Sequence, residues 1–190
     1  MSDRRDTLVS SDLGLLRAIE DDELELILSW RNAPTVRQNM YTRHEISLEE
    51  HLAWWHRVRG RQDQHYFLYE HDGQPLGVVS FTQVHAKDAN ASWAFYASPE
   101  APRGTGSRME FLALEHAFGG LMLHKLYCEV LAFNEPVINL HKKFGFSVEG
   151  ILREQHRVDD TYVDVIRLGI LHPEWEAMRD TLYRKLSSKQ

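Results

Sequence analysis

The period of the apolar positions changes several times along the chain, and each change predicts an element. Leu13–Ile19 reads as a strand, after which Leu24, Ile27, Leu28 and Arg31 fall on one helical stripe capped by Asp21 or Asp22. A short helix is predicted over Thr35–Met40, behind Pro34, and the Ser47-Leu48-Glu49-Glu50 capping box opens a third helix running to Arg59. HYFLYE, QPLGVVSFTQVH and ASWAFYA then alternate as three successive strands, with turns at HDGQP and AKDAN. From there the order changes to a glycine loop and helix over 106–120, a strand KLYCEVL, and a helix over 134–144. Strands over 146–157 and 161–171 follow, and a last helix begins after Pro173. Antiparallel strands followed by a helix–strand–helix section predict an α+β fold with a mixed sheet of about seven strands, rather than a doubly wound sheet. No repeat or linker interrupts the pattern. One domain is therefore expected over 1–190, with 1–12 a loose leader and 187–190 a frayed tail.

Composition narrows the function classes. The chain has 190 residues, enough for a real core, and a net charge of −6 that argues against a general nucleic-acid or anionic-membrane binder. A lone cysteine, Cys128, excludes an internal disulfide and fits the cytoplasm. The beginning of the chain has no signal-peptide core, and no apolar run reaches spanning length. The histidines contain no HExxH and no ligand spacing, so no metal is expected.

The stretch RGTGSR, Arg103–Arg108, stands immediately before the long helix. It is not a GxxxxGK[ST] loop, and as a dinucleotide fingerprint it offers methionine where the third glycine belongs. What remains is a helix N-terminus whose free amides and dipole attract an anion, with Gly104 and Gly106 allowing close approach and Arg103 and Arg108 adding charge. The alternative is a turn with solvated arginines. The helix behind it is apolar on two sides, along Met109, Leu112, Ala113, Ala117 and along Phe111, Leu114, Phe118, Leu121. Its N-terminus therefore has a fixed place in the fold.

RGTGS, the central helix, the strand LHKLYCEVL and NEPVINLHKKFGF together resemble the GCN5-related N-acetyltransferases. WRNAPTVRQNMYTRHEISLEEHLAWW and EGILREQHRVDDTYVDVIRLGIL resemble one branch of that superfamily over roughly residues 13–180. This branch N-acetylates UDP-4-amino-4,6-dideoxy-N-acetyl-β-L-altrosamine on the way to pseudaminic acid, which decorates flagellin. The resemblance implies acetyl-CoA as donor, a UDP-amino sugar as acceptor, cytoplasmic location, and a homodimer as an allowed assembly. It also implies direct attack of the amine on the thioester, so Cys128 has no need to be a nucleophile.

By the same resemblance, a cofactor arm fits between the splayed strands ASWAFYA and KLYCEVL, along Phe95, Tyr96 and Ala97. The loop Arg103, Gly104, Thr105, Gly106, Ser107, Arg108 takes the pyrophosphate, with Asn134, Asn139 and Lys143 as further contacts. Two glycine registers fit the loop, depending on whether Ala101 or Arg103 stands at the family's Q/R position. His141 occupies the place of the usual tyrosine acid, and imidazole titrates in a range suited to donating a proton. The glutamate often used as base is missing, which leaves Ser92 holding a water, or His51. Arg31, Asn32, Arg37, Met40, Tyr41, His51, Thr82, Gln83 and Tyr96 are the implied acceptor contacts. For Arg31 the competing expectation is a structural carboxylate partner. Rival functions are acetylation of another amine, such as a protein N-terminus or a small molecule, and a catalytically silent acetyl-CoA-binding module.

Overall fold

The computed structural model describes residues 7–188. In chain order its elements are β1 (Thr7–Ser11), β2 (Gly14–Ala18), α1 (Leu24–Asn32), α2 (Pro34–Arg37), α3 (Leu48–Val58), β3 (Gln64–His71), β4 (Gln74–His85) and β5 (Asn90–Ala97). The second half adds α4 (Thr105–Glu115), β6 (Lys125–Leu131), α5 (Glu135–Lys143), β7 (Ser147–Val158), β8 (Thr161–Leu171) and α6 (His172–Ser187). One eight-stranded sheet has the order β1-β2-β3-β4-β5-β6-β8-β7. All neighbours are antiparallel except β5 and β6.

Alternation along the strands gives the sheet two apolar faces. Phe67, Tyr69, Val79 and Phe81 point toward α4 and pack with Met109, Phe111, Leu112 and Leu114 in the main core. Leu68 and Val78 point the other way and meet Ile19, Leu24, Ile27 and Trp30 around α1. Each such fully buried side chain contributes about 1.5–3 kcal/mol. Arg17, only 2% exposed, ties β2 to its surroundings, with Nε donating to Glu70 at 2.8 Å and Nη2 to Glu23 at 2.6 Å.

Several expectations are corrected. The leader is shorter than expected, because Thr7–Ser11 forms the edge strand β1 and brings the sheet of about seven strands to eight. Its residues are mostly exposed, so they carry no clear alternation. What fixes the strand is a tight return to β2 at Gly14, with φ +119, and a bond from the Leu13 amide to Ser11 Oγ at 3.0 Å. Neither Asp21 nor Asp22 caps α1, since Asp21–Glu23 forms a 3-10 turn closed by a capping box from Glu20. Asp21 instead accepts from Trp55 Nε1 at 2.9 Å and from Arg59. Helical geometry after Pro34 stops at Arg37, short of Met40. Ser187 belongs to α6 rather than to a frayed tail, while Met1–Asp6 and Lys189–Gln190 lie outside the described residues.

Candidate active site

The parallel pair is the opening in the sheet. Only Asn90–Ser92 pair with Lys125–Tyr127, whereas β5 stays with β4 as far as Ala97 and β6 stays with β8 as far as Leu131. Beyond Ser92 the two strands diverge, and alternate residues of β5 turn unpaired backbone groups into the gap. A cavity of about 330 Å³ fills it, walled by Trp93–Pro99, Cys128–Val130, residues of the α2 segment including Met40, and Asn134, Val137 and His141. Phe95, Tyr96 and Ala97 are therefore in the expected cleft. Cys128 lines it too, but burial raises its thiol pKa and keeps it protonated.

The N-terminus of α4 is built for an anion. Gly104 is its N-cap at φ +95, a left-handed conformation that favours glycine, and no side chain caps the helix. The Thr105 hydroxyl is spent on Pro102 O at 2.8 Å, and the Thr105 amide bonds the same carbonyl. Among the described residues no acceptor meets the amides of Gly106 or Ser107. A Cβ on Gly106 would only touch Phe95 and Leu140 at 3.5 Å, so the protein itself does not require glycine there. Arg103 is exposed, and Arg108 lies near the Tyr69 hydroxyl. Asn134 is the N-cap residue of α5, but its side chain makes no capping bond and lines the cleft instead. Free amides, an uncommitted carboxamide and a long narrow gap fit a pyrophosphate joined to an extended amide-bearing arm, which is the donor set acetyl-CoA requires.

His141 reaches the cleft from α5 and is 2% exposed. Its ring sits among Trp93, Phe95 and Phe146, with centroids 5.3, 6.0 and 5.2 Å away. Its Nδ1 lies 2.8 Å from Oε1 of Glu110, a wholly buried residue of α4. Glu110 Oε2 has no partner, and burial raises the Glu110 pKa. The sequence reading missed Glu110. The available signal was a lone acid inside a helix apolar on both sides.

A second cavity, about 380 Å³, lies across Tyr96 and is lined by Arg31, His51, Trp54, Arg57, Tyr66 and Ser80, with Glu50, Thr42, Ile46 and Val78. Tyr96 borders both cavities. Arg31 Nη2 donates to Thr42 O at 3.0 Å, but Nη1 is buried without a partner, and no carboxylate meets this guanidinium among the described residues. The expected structural carboxylate is therefore not there. His51 is 4% exposed and stacks on Trp54 at 5.1 Å, with Nε2 buried and unpartnered. Burial is the main cause lowering its pKa, so its ring is neutral and Nε2 is free to accept a proton. Glu50 is engaged by His44 at 3.1 Å. Arg57, absent from the sequence reading, follows Glu50 and Trp54 at helical spacing on the same face of α3.

The remaining expected residues line neither cavity. Asn32 clamps the loop before α3, donating to Ile46 O at 2.8 Å and accepting from the Ile46 amide at 2.9 Å. Arg37 stands 3.8 Å from Glu45, and the Tyr41 hydroxyl donates to Glu129 at 3.1 Å. Gln83 sits at a bulge with φ +52 and accepts from the Tyr127 hydroxyl at 2.6 Å, beside Thr82. Ser92 is the last residue of β5 that pairs with β6, and Asn139 and Lys143 are exposed on α5. Among the described residues no three His, Cys, Asp or Glu side chains gather as a metal site, and no helix is long and apolar enough to cross a membrane.

A mixed sheet that opens at one parallel pair, with an anion-ready helix end at its mouth, defines a transferase of acyl groups carried on coenzyme A. Residues 15–147 match the family model described as an acetyltransferase (GNAT) domain, and the chain belongs to that family. It is an N-acetyltransferase that uses acetyl-CoA. It is 28% identical over 167 residues to spermidine N(1)-acetyltransferase of Escherichia coli, covering 87% of this chain and 90% of that one. It is 29% identical over 130 residues to acetyltransferase PseH of Campylobacter jejuni, covering 68% and 80%. The structure of spermidine N-acetyltransferase from Vibrio cholerae in complex with CoA and spermine superposes with a TM-score of 0.80. It is 25% identical, with 85% of this chain and 96% of that chain covered.

Proposed function

We propose that this enzyme acetylates the 4-amino group of a UDP-linked 4-amino-4,6-dideoxy-N-acetyl sugar, the step assigned by resemblance to pseudaminic acid biosynthesis and flagellin glycosylation in the cytoplasm. The observation that carries the reading is the charge of the second cavity. Arg31 and Arg57 line it, one guanidinium nitrogen has no partner, and the single carboxylate, Glu50, is already held by His44. A nucleotide diphosphate supplies the missing acceptors, and an arginine fork matches phosphate geometry. A polyamine brings further positive charge. Each like-charge pair at about 5 Å costs roughly 3 kcal/mol at an effective dielectric constant of about 20. Trp54 and Tyr66 offer aromatic faces to a base or sugar.

In this reading the neutral His51 takes the proton from the attacking amine through Nε2. Backbone amides of the opened β5 edge polarise the thioester carbonyl. His141 protonates the departing thiolate. The test is thiol release by the purified protein from acetyl-CoA, offered either the UDP-amino sugar or spermidine. Turnover of the nucleotide sugar at least a hundredfold faster supports the assignment. Turnover of spermidine alone overturns the acceptor assignment, and tight acetyl-CoA binding with no turnover of any amine overturns the enzyme reading.

A further inference from the structure

Glu110 is an odd residue to find where it is. Its neighbours on α4, Met109 and Phe111 to Leu114, are all buried apolar side chains, and an apolar residue of similar size would fill the same space without desolvating a carboxyl group. Among the described residues its one side-chain partner is His141 Nδ1 at 2.8 Å. The walls around the pair are aromatic: Trp93, whose Nε1 is buried and unpartnered, with Phe95 and Phe146. The titratable group facing the pair from β6 is the Cys128 thiol, which burial keeps neutral, and Glu129 follows it with its carboxylate turned to Arg167 and Tyr41. No cation besides His141 is available to Glu110 from these elements. With Nδ1 engaged, the opposite ring nitrogen, Nε2, is the one left to serve the cleft that His141 lines.

We propose that Glu110 is a positioning residue that keeps a proton on His141 Nε2, so that the pair delivers that proton to the sulfur leaving from the acyl donor. This rests on the reading of His141 as the acid in acetyl transfer. Burial disfavours a bare carboxylate at Glu110, so the pair holds one proton between Oε1 and Nδ1 and a second on Nε2, with no net charge. When the amine has added to the thioester carbonyl, the C–S bond breaks and sulfur keeps the electron pair. The Nε2 proton passes to sulfur, and the shared proton settles on Nδ1. The pair is left with one negative charge until solvent returns a proton, while the proton lost by the amine leaves through His51. A bare carboxylate would hold a neutral imidazole's only proton on Nδ1 and leave Nε2 empty, so it is the second proton, shared between Glu110 and Nδ1, that keeps Nε2 protonated.

The experiment compares the full-length protein with its Glu110→Gln variant, by nitrogen-15 NMR of the His141 ring and by the pH dependence of kcat. In the wild type Nε2 is expected to be protonated at pH 7.5 without substrate. Glu110→Gln removes the carboxyl group that hands a proton to Nδ1 as Nε2 gives one up, so the alkaline limb of kcat moves at least one pH unit lower. At pH 8 kcat falls roughly a hundredfold, a usual size for lost acid catalysis, while KM for acetyl-CoA changes less than twofold. A bare Nε2 at neutral pH in the wild type, or superimposable pH profiles, overturns the proposal. If Glu110→Gln does not fold, the wild-type ring spectrum decides alone. Because the spectrum needs no acceptor amine, a protonated Nε2 with no turnover of the nucleotide sugar counts against the proposed substrate and leaves the pair standing.

Discussion

Arg31→Met separates a ligand-binding arginine from a structural one. In the protein as it stands, Arg31 spends one nitrogen on Thr42 O at 3.0 Å and leaves Nη1 buried and unpaired, and burial works against its charge. Methionine forfeits that one bond, worth about 1 kcal/mol, but also removes a half-buried cation that lacks a carboxylate. The two effects oppose each other, so stability should change by less than about 1 kcal/mol, which is at most about 4 °C in Tm for a chain of this size. Binding of the nucleotide sugar loses a hydrogen bond to a charged group, about 1.5–3 kcal/mol. At about 1.4 kcal/mol per decade, kcat/KM for that acceptor falls roughly 10- to 100-fold, while KM for acetyl-CoA, which the proposal assigns to the other cavity, stays put. Thermal unfolding and steady-state thiol release measure the two quantities. A variant that unfolds 8 °C lower yet keeps its kcat/KM would refute the reasoning and make Arg31 a scaffold residue.

Three further outcomes follow from particular contacts. Gly104→Ala forces an L side chain into φ +95 and should cost about 1–2 kcal/mol of stability. It should also weaken acetyl-CoA severalfold by calorimetry; unchanged affinity in the folded variant would remove this loop from the phosphate site. Arg17→Ala removes a buried cation that bonds both Glu23 and Glu70 and should cost about 3 kcal/mol in denaturant unfolding, whereas a loss near zero would show the ion pairs to be idle. His116 has both ring nitrogens buried and unpartnered among Phe67 and Phe81, and burial lowers its pKa to about 4. The unfolded chain therefore binds a proton that the folded chain refuses. The stability is fully present above about pH 6.5 and is lost, by up to about 3 kcal/mol, as pH falls toward 4. His116→Phe should flatten that part of the Tm–pH curve, and an unaltered curve would exonerate His116.

Most of the scaffold was readable because periodicity reports burial, and the central elements are buried on a regular face. α4 and the strands β3 to β6 carry their pattern openly, and half of the capping box expected at Ser47 forms, with Ser47 Oγ accepting from the Glu50 amide at 3.1 Å while the Glu50 carboxylate turns to His44. β1 escaped because an edge strand that buries little has little pattern to show. The α1 cap was misplaced because four acidic residues compete there, and the 3-10 turn they form uses Glu20 and Glu23 as its reciprocal pair. Within the site, spacing on α1 placed Arg31 inward and the family resemblance alone named His51, and the structure brings both to one cavity with Tyr96. The Glu110–His141 contact spans 31 residues and two helices, and no local pattern encodes a partner chosen by tertiary packing.

Overall similarity does not select the acceptor. Identity to spermidine N(1)-acetyltransferase and to PseH is nearly equal, 28% and 29%, so overall identity does not choose between the two. In the proposed reading, acceptor choice rests on the few side chains of α1, α3 and the loop between them that line the second cavity. A polycation and a nucleotide diphosphate place opposite demands on those positions, since each buried charge needs a partner of the other sign. Here the unpaired group is a guanidinium nitrogen, and the one acid is already engaged by a histidine. Exchanging Arg31 and Arg57 together for glutamates would reverse that balance. If the charge of this cavity decides the acceptor, the double variant loses the nucleotide sugar and gains measurable acetylation of spermidine. A variant still selective for the sugar would move the source of specificity elsewhere.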